Sequence, residues 1–82
     1  MQVTVKLFGP QAQLAGCETL TLTLDAPQPT CGDLRIALAD AAPPLAPSLP
    51  ASRFAVNHEY VPDDQRISTD DELALIGMIS GG

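Results

Sequence analysis

The sequence predicts an α+β domain, a mixed sheet with one main helix packed on one face. Three observations predict it. Two runs near the start alternate apolar with polar residues, one segment near the middle has helical spacing behind a capping signal, and a late run is apolar on both faces of a strand. With a single long helix available, that helix must cover one face of one sheet.

Val3, Val5 and Leu7 alternate with Gln2, Thr4 and Lys6, which is the pattern of a half-buried strand; Leu20, Leu22 and Leu24 alternate with Thr19, Thr21 and Thr23 in the same way. Between them, "GPQAQLAG" offers Pro10 at a helical first position and Gly16 as a stop, so short helical turns bridge the two strands. Thr30 and Asp33 have the spacing of a capping box, and Leu34, Ala37, Leu38 and Ala41 form one apolar stripe. The main helix is therefore expected over about residues 31 to 42. Pro43 and Pro44 end it, because proline lacks the amide the ladder needs and pushes the preceding residue out of the helical region.

The stretch "PPLAPSLPAS" is expected to be an irregular connection. Phe54 and Val56 then alternate with Arg53 and Ala55, and "NHEYVP" reads as a turn into a short extended piece at Tyr60 and Val61. Leu73, Ala74, Leu75 and Ile76 suit a strand in the middle of a sheet, most naturally beside the first. The order strand, strand, helix, strand, short strand, strand is that of the ubiquitin-like β-grasp. It implies a single domain over residues 1–82 with a mobile C-terminal tail over 77–82, able to reach about 20 Å when extended.

Composition narrows the function. The chain has 82 residues, enough to bury roughly 60 to 65% of its unfolded surface, and 45% are apolar, so a packed core is expected despite eight prolines. Ten acids against four bases give a net charge of −6, which repels phosphate backbones and anionic lipid and excludes nucleic acid and membranes as natural partners. No apolar run approaches the ~20 residues of a membrane span, and "MQVTVKLF" alternates where a signal peptide would not, so a cytoplasmic location is expected. Two cysteines and one histidine cannot make a four-ligand zinc set or a disulfide scaffold, so neither a metal nor a bound cofactor is indicated.

The stretches "VTVKLFGP", "TCGDLRIALA", "FAVNHEYVPDD" and "DDELALI" followed by "SGG" together cover nearly the whole chain. In them the chain resembles the small, sulfur-carrying subunit of molybdopterin synthase. That family commonly places a Pro-Pro pair before its Gly-Gly end, where Gly77 and Met78 stand here. The resemblance implies a protein that is no enzyme on its own but the sulfur-donating small subunit of a heteromeric sulfurtransferase. The carboxylate of Gly82 would be activated by an ATP-dependent adenylating enzyme and exchanged for a thiocarboxylate. Gly81 and Gly82 would then enter the active site of the larger catalytic subunit, where sulfur passes to the pterin precursor. The residue types suit that chemistry. A carboxylate is a poor electrophile until its oxygen becomes a leaving group, and glycines let the main chain thread a narrow channel.

Phe8, Met78, Ile79 and Ser80 are the candidates for partner binding, since they lie off the alternating core pattern or beyond the last strand. Each remaining feature has a plainer alternative. Cys31, at a helix start, is an activated thiol or a small core residue, and Cys17 is a reactive thiol or an incidental loop residue. His58 is a proton donor or a solvated turn residue. Asp63, Asp64, Asp70, Asp71 and Glu72 face a basic partner or are solubilising surface. The Gly-Gly end also fits a sulfur carrier for the thiamine thiazole, a ubiquitin-like modifier joined to protein lysines, or a frayed end on a plain interaction module.

Overall fold

The computed structural model describes residues 1–77. Strand β1 (Gln2–Leu7) leads into helix α1 (Gly9–Ala15) and strand β2 (Thr19–Thr23). Helix α2 (Cys31–Ala41) and a 3₁₀ helix (Pro43–Ala51) follow, then strands β3 (Ser52–Val56), β4 (Glu59–Val61) and β5 (Leu73–Gly77). The five strands form one sheet in the order β2-β1-β5-β3-β4. Only β1 and β5 run parallel, with Val5 opposite Leu73 and Leu7 opposite Leu75; the other neighbours are antiparallel.

The strands form where alternation placed them. Val3, Val5 and Leu7 turn inward along β1, and Leu22 and Leu24 are buried beside β2. Met1 extends that edge by one pair, its ammonium donating to Leu24 O at 3.0 Å and its carbonyl accepting from Leu24 N at 2.7 Å. Helix α1 connects β1 to β2 and stops at Gly16, whose φ of 75° is one that glycine adopts without strain. The β3–β4 turn puts both Asn57 (φ 53°) and His58 (φ 72°) in the left-handed region, as a tight turn matched to strand twist requires.

Helix α2 begins with the expected capping box: Asp33 N donates to Thr30 Oγ1 at 3.3 Å, and Thr30 N donates to Asp33 Oδ2 at 3.0 Å. Cys31, Leu34 and Leu38 face the sheet. The stripe closes on Ala42, which is buried, and not on Ala41, which is exposed. Ala42 N still donates to Leu38 O at 2.8 Å, so the residue before Pro43 keeps the turn while its own φ and ψ leave the helical region.

The connection expected to be irregular is instead a 3₁₀ helix. Its tighter repeat tolerates Pro47 and Pro50, and Leu45 and Leu49 are buried under α2. Each fully buried leucine contributes about 1.5 to 3 kcal/mol of transfer free energy, so this segment forms part of the core. Phe54, Leu34, Leu38, Leu45, Leu73 and Leu75 are its largest closed side chains.

Strand β5 lies centrally, as its double apolar pattern implies: Leu73 and Leu75 are buried under the helices, while Ala74 and Ile76 are half-buried on the open face. Gly77 still belongs to the sheet, paired with Ser52. The sheet thus includes Gly77, the first residue of the tail expected over 77–82, and the rest of that tail lies outside the described residues.

Candidate functional site

Three elements converge at Gly77, the last described residue of the central strand β5. Along β5 the inward positions are Leu73, Leu75 and then Gly77, so the last inward position carries no side chain. Gln11 of α1 reaches toward this gap and is only 3% exposed. Its Nε2 donates to Ser52 Oγ at 2.6 Å and to Ser48 Oγ at 3.1 Å. A Cβ placed on Gly77 would come to 3.2 Å from Gln11 Oε1. An apolar groove of about 330 Å³ opens beside this junction, bordered by Phe8, Pro10, Leu14, Ala51, Ile76 and Gly77.

Phe8 stands at the rim. It precedes α1 in extended conformation, and the residue is 52% exposed. On the open face of the sheet a second hollow of about 310 Å³ runs from Phe8 past Ile76, Ala74 and Ala55 to Tyr60. Charges border this apolar floor. Glu72 meets His58 Nε2 at 2.9 Å and Lys6 Nζ at 3.7 Å, and the Arg53 guanidinium lies over the Tyr60 ring, 5.2 Å from its centroid. An exposed aromatic beside half-buried aliphatics with a charged rim is the make-up of a protein-docking surface.

Of the residues singled out in the sequence, Phe8 is exposed next to the end of β5, while Met78, Ile79, Ser80, Gly81 and Gly82 lie outside the described residues. His58 is an exposed turn residue that also contacts Glu72. Three of the acids have partners within the chain: Asp63 binds Arg35, Asp71 accepts from Ser68 N and Asn57 Nδ2, and Glu72 meets Lys6 and His58. Cys31 is a closed core residue. Burial first, then the Asp63 carboxylate, raises its thiol from 9.0 to about 11 against the opposing pull of Arg35, so no activated thiol results. Cys17 is half-buried, with Sγ 3.8 Å from Ala15 O. Among the described residues no group of three histidine, cysteine or acidic side chains could hold a metal, and no helix is long and apolar enough to cross a membrane.

Gln11, Ser48 and Ser52 were not legible as site residues. A glutamine in a short helix and serines among prolines are the ordinary composition of exposed turns. The one available signal is position: Gln11 lies four residues before Ala15, on the side of α1 that packs inward.

Residues 5–82 match the family model described as the ThiS family. A curated relative from Dictyostelium discoideum, the molybdopterin synthase sulfur carrier subunit, is 31% identical over 99% of this chain and 96% of its own length. The crystal structure of SAMP1 from Haloferax volcanii superposes with a TM-score of 0.84 at 29% identity, each chain covered in full. A chain of the Helicobacter pylori complex of subunits 1 and 2 of molybdopterin-converting factor shares the fold with a TM-score of 0.67 at 22% identity, again over 100% of both chains. Matched by a family model from residue 5 to residue 82 and by a curated relative over nearly its whole length, the chain belongs to the ThiS family.

Proposed function

We propose that this protein is the sulfur carrier of molybdopterin synthase, working through the carboxylate of Gly82. The observation that carries the proposal is a β-grasp sheet whose central strand, β5, is followed closely in the sequence by Gly81 and Gly82. The Dictyostelium discoideum relative's name supports it. An ATP-dependent adenylating enzyme joins the Gly82 carboxylate to AMP and releases pyrophosphate. A sulfur donor then displaces AMP and leaves a thiocarboxylate. In the larger catalytic subunit that sulfur passes to the pterin precursor, and the carrier is recovered as carboxylate after hydrolysis. The carrier itself holds no cofactor; ATP is consumed by the activating enzyme.

Deleting Gly82 recesses the carboxylate by about 3.3 to 3.6 Å, and misplacing a reacting group by ~1 Å can cost on the order of a hundredfold in rate. The test compares wild type, the Gly82 deletion and a one-residue extension. Thiocarboxylate formation is read as an oxygen-to-sulfur mass increase, and transfer as product made with the larger subunit. Both variants are expected to fold normally and to fail in transfer. Normal transfer by either would end the carrier assignment.

A second reading, a modifier joined to protein lysines, is favoured by the likeness to SAMP1, the small archaeal modifier protein 1. It would show as higher-mass isopeptide adducts on other proteins in cells, and carriage would not.

A further inference from the structure

The amide of Gln11 can adopt only one orientation. Ser48 Oγ donates its hydrogen to Leu45 O at 2.8 Å, and Ser52 Oγ donates its hydrogen to Ser48 O at 2.8 Å. Both hydroxyls can therefore only accept from Gln11, which requires Nε2 to face them and turns Oε1 the other way, toward Gly77. Oε1 is buried there without a hydrogen-bond partner among the described residues. An unmet buried acceptor costs about as much as a lost hydrogen bond, so its retention at the end of β5 calls for a role.

The room for that amide exists because residue 77 has no side chain. Gly77 has no left-handed φ to explain it, unlike Gly9 and Gly16. Space is the reason: a Cβ would meet Oε1 at 3.2 Å and Cδ at 3.3 Å, and the hydroxyls prevent the amide from turning away. Ser52 is at once the partner of Gln11 and the residue paired with Gly77 across the sheet. The side chain thus ties α1 and the 3₁₀ helix to the last described residue of β5.

We propose that Gln11 is the positioning residue of the reactive tail: its locked amide takes the place of the side chain absent at Gly77 and fixes the position of Gly77, from which the tail continues. This rests on the sulfur-carrier reading above. If the Gly82 carboxylate must arrive at a fixed place in a partner, the origin of the tail is one end of the measuring distance, and Gln11 sets it. The residue never meets the reacting atoms and acts only through Gly77.

The test uses the full chain with Gln11→Met, which keeps length but loses the amide, with Gly77→Ala, with Gln11→Ala, and with the Gln11→Ala/Gly77→Ala double variant. Transfer from preformed thiocarboxylate is measured with the larger subunit, separating kcat from KM. Nitrogen-15 relaxation of the Gly77 amide in the free carrier supplies a readout that needs no sulfur chemistry. Gln11→Met and Gly77→Ala are each expected to lower kcat about tenfold or more, since sub-ångström misplacement suffices, with KM for the carrier changed less than about twofold. The Gly77 amide loses order in Gln11→Met. In the double variant the new methyl occupies the vacated room, so its loss is no greater than that of Gln11→Ala alone. Wild-type kcat in Gln11→Met or Gly77→Ala, or losses that multiply in the double variant, would overturn the proposal. A wild-type protein that never acquires sulfur would instead overturn the carrier reading, leaving the relaxation measurement to decide the role of Gln11.

Discussion

Arg35 holds Asp63 with two hydrogen bonds, Nε to Oδ2 at 3.1 Å and Nη2 to Oδ1 at 2.7 Å. The same guanidinium donates through Nη1 to Leu49 O and, at 3.0 Å, to Ser52 O, and it lies 5.0 Å from the centroid of the Phe54 ring. One side chain of α2 therefore joins the 3₁₀ helix, β3 and the turn after β4. Its bidentate grip holds the Asp63 carboxyl below its ordinary value of 3.8.

The two partners are unequal. The Asp63 side chain is largely exposed, so Asp63→Asn is expected to cost only about 0.5 to 1 kcal/mol. Arg35→Met also strips the donor from two carbonyls and is expected to cost about 2 to 3 kcal/mol in denaturant titration. Because the folded state lowers the Asp63 pKa, its contribution is present above the unfolded value of 3.8 and is lost as pH falls through the folded one. The stability gap between wild type and Asp63→Asn should close on acidification over that window.

Cys31 gives the opposite sign. Its folded pKa of about 11 exceeds the ordinary 9.0, so its contribution is complete below pH 9 and declines as pH rises toward 11. The loss should reach about 2 to 3 kcal/mol. A Cys31→Ala variant should lack that alkaline slope whatever its stability at neutral pH, and equal slopes in the two proteins would contradict the closed thiol. Alkylation of the folded protein should modify Cys17 before Cys31.

At the β3–β4 turn, Asn57 Oδ1 accepts from Glu72 N at 3.0 Å while its Nδ2 donates to Asp71 Oδ1 at 3.0 Å. Asn57→Ala loses both bonds and the residue type that tolerates a positive φ, and should cost about 1 to 3 kcal/mol. His58→Gly relieves its left-handed backbone at the expense of the Glu72 contact and should stay within about 0.5 kcal/mol of wild type, or above it. Thermal unfolding of the pair reads this asymmetry.

Docking can be separated from stability at Phe8. Half exposed beside the end of β5, it contributes little to the core, so Phe8→Ser should leave Tm nearly unchanged and weaken binding to the larger subunit about tenfold or more in calorimetry. Unchanged affinity would place the docking surface elsewhere. With a net charge of −6, association should also slow as salt rises.

The sheet was legible because its signals are local: β1 alternates with period two, α2 starts on a capping box, and β5 is apolar at both parities. The connection after α2 was not, because prolines erase the helical signal that Leu45 and Leu49 would otherwise give, and a 3₁₀ helix has no strong periodicity of its own. The helix stripe ended on Ala42 instead of Ala41 because the chain unwinds before Pro43. Around the candidate site, Phe8 stood out by breaking alternation. Gln11 could not, since its burial comes from Ser48 and Ser52, roughly forty positions later in the chain and brought near only by the tertiary fold.

The strand order has a consequence for how this chain completes its fold. β1 and β2 pair with each other, as do β3 and β4, but neither pair shares a ladder with the other; β5 alone pairs with both β1 and β3. Without residues 73–77 the β1–β2 and β3–β4 ribbons share no ladder. The strand that closes the core is the one that leads directly into the Gly-Gly segment. On the sulfur-carrier proposal, completion of this sheet and presentation of the Gly-Gly segment to an activating enzyme would therefore coincide.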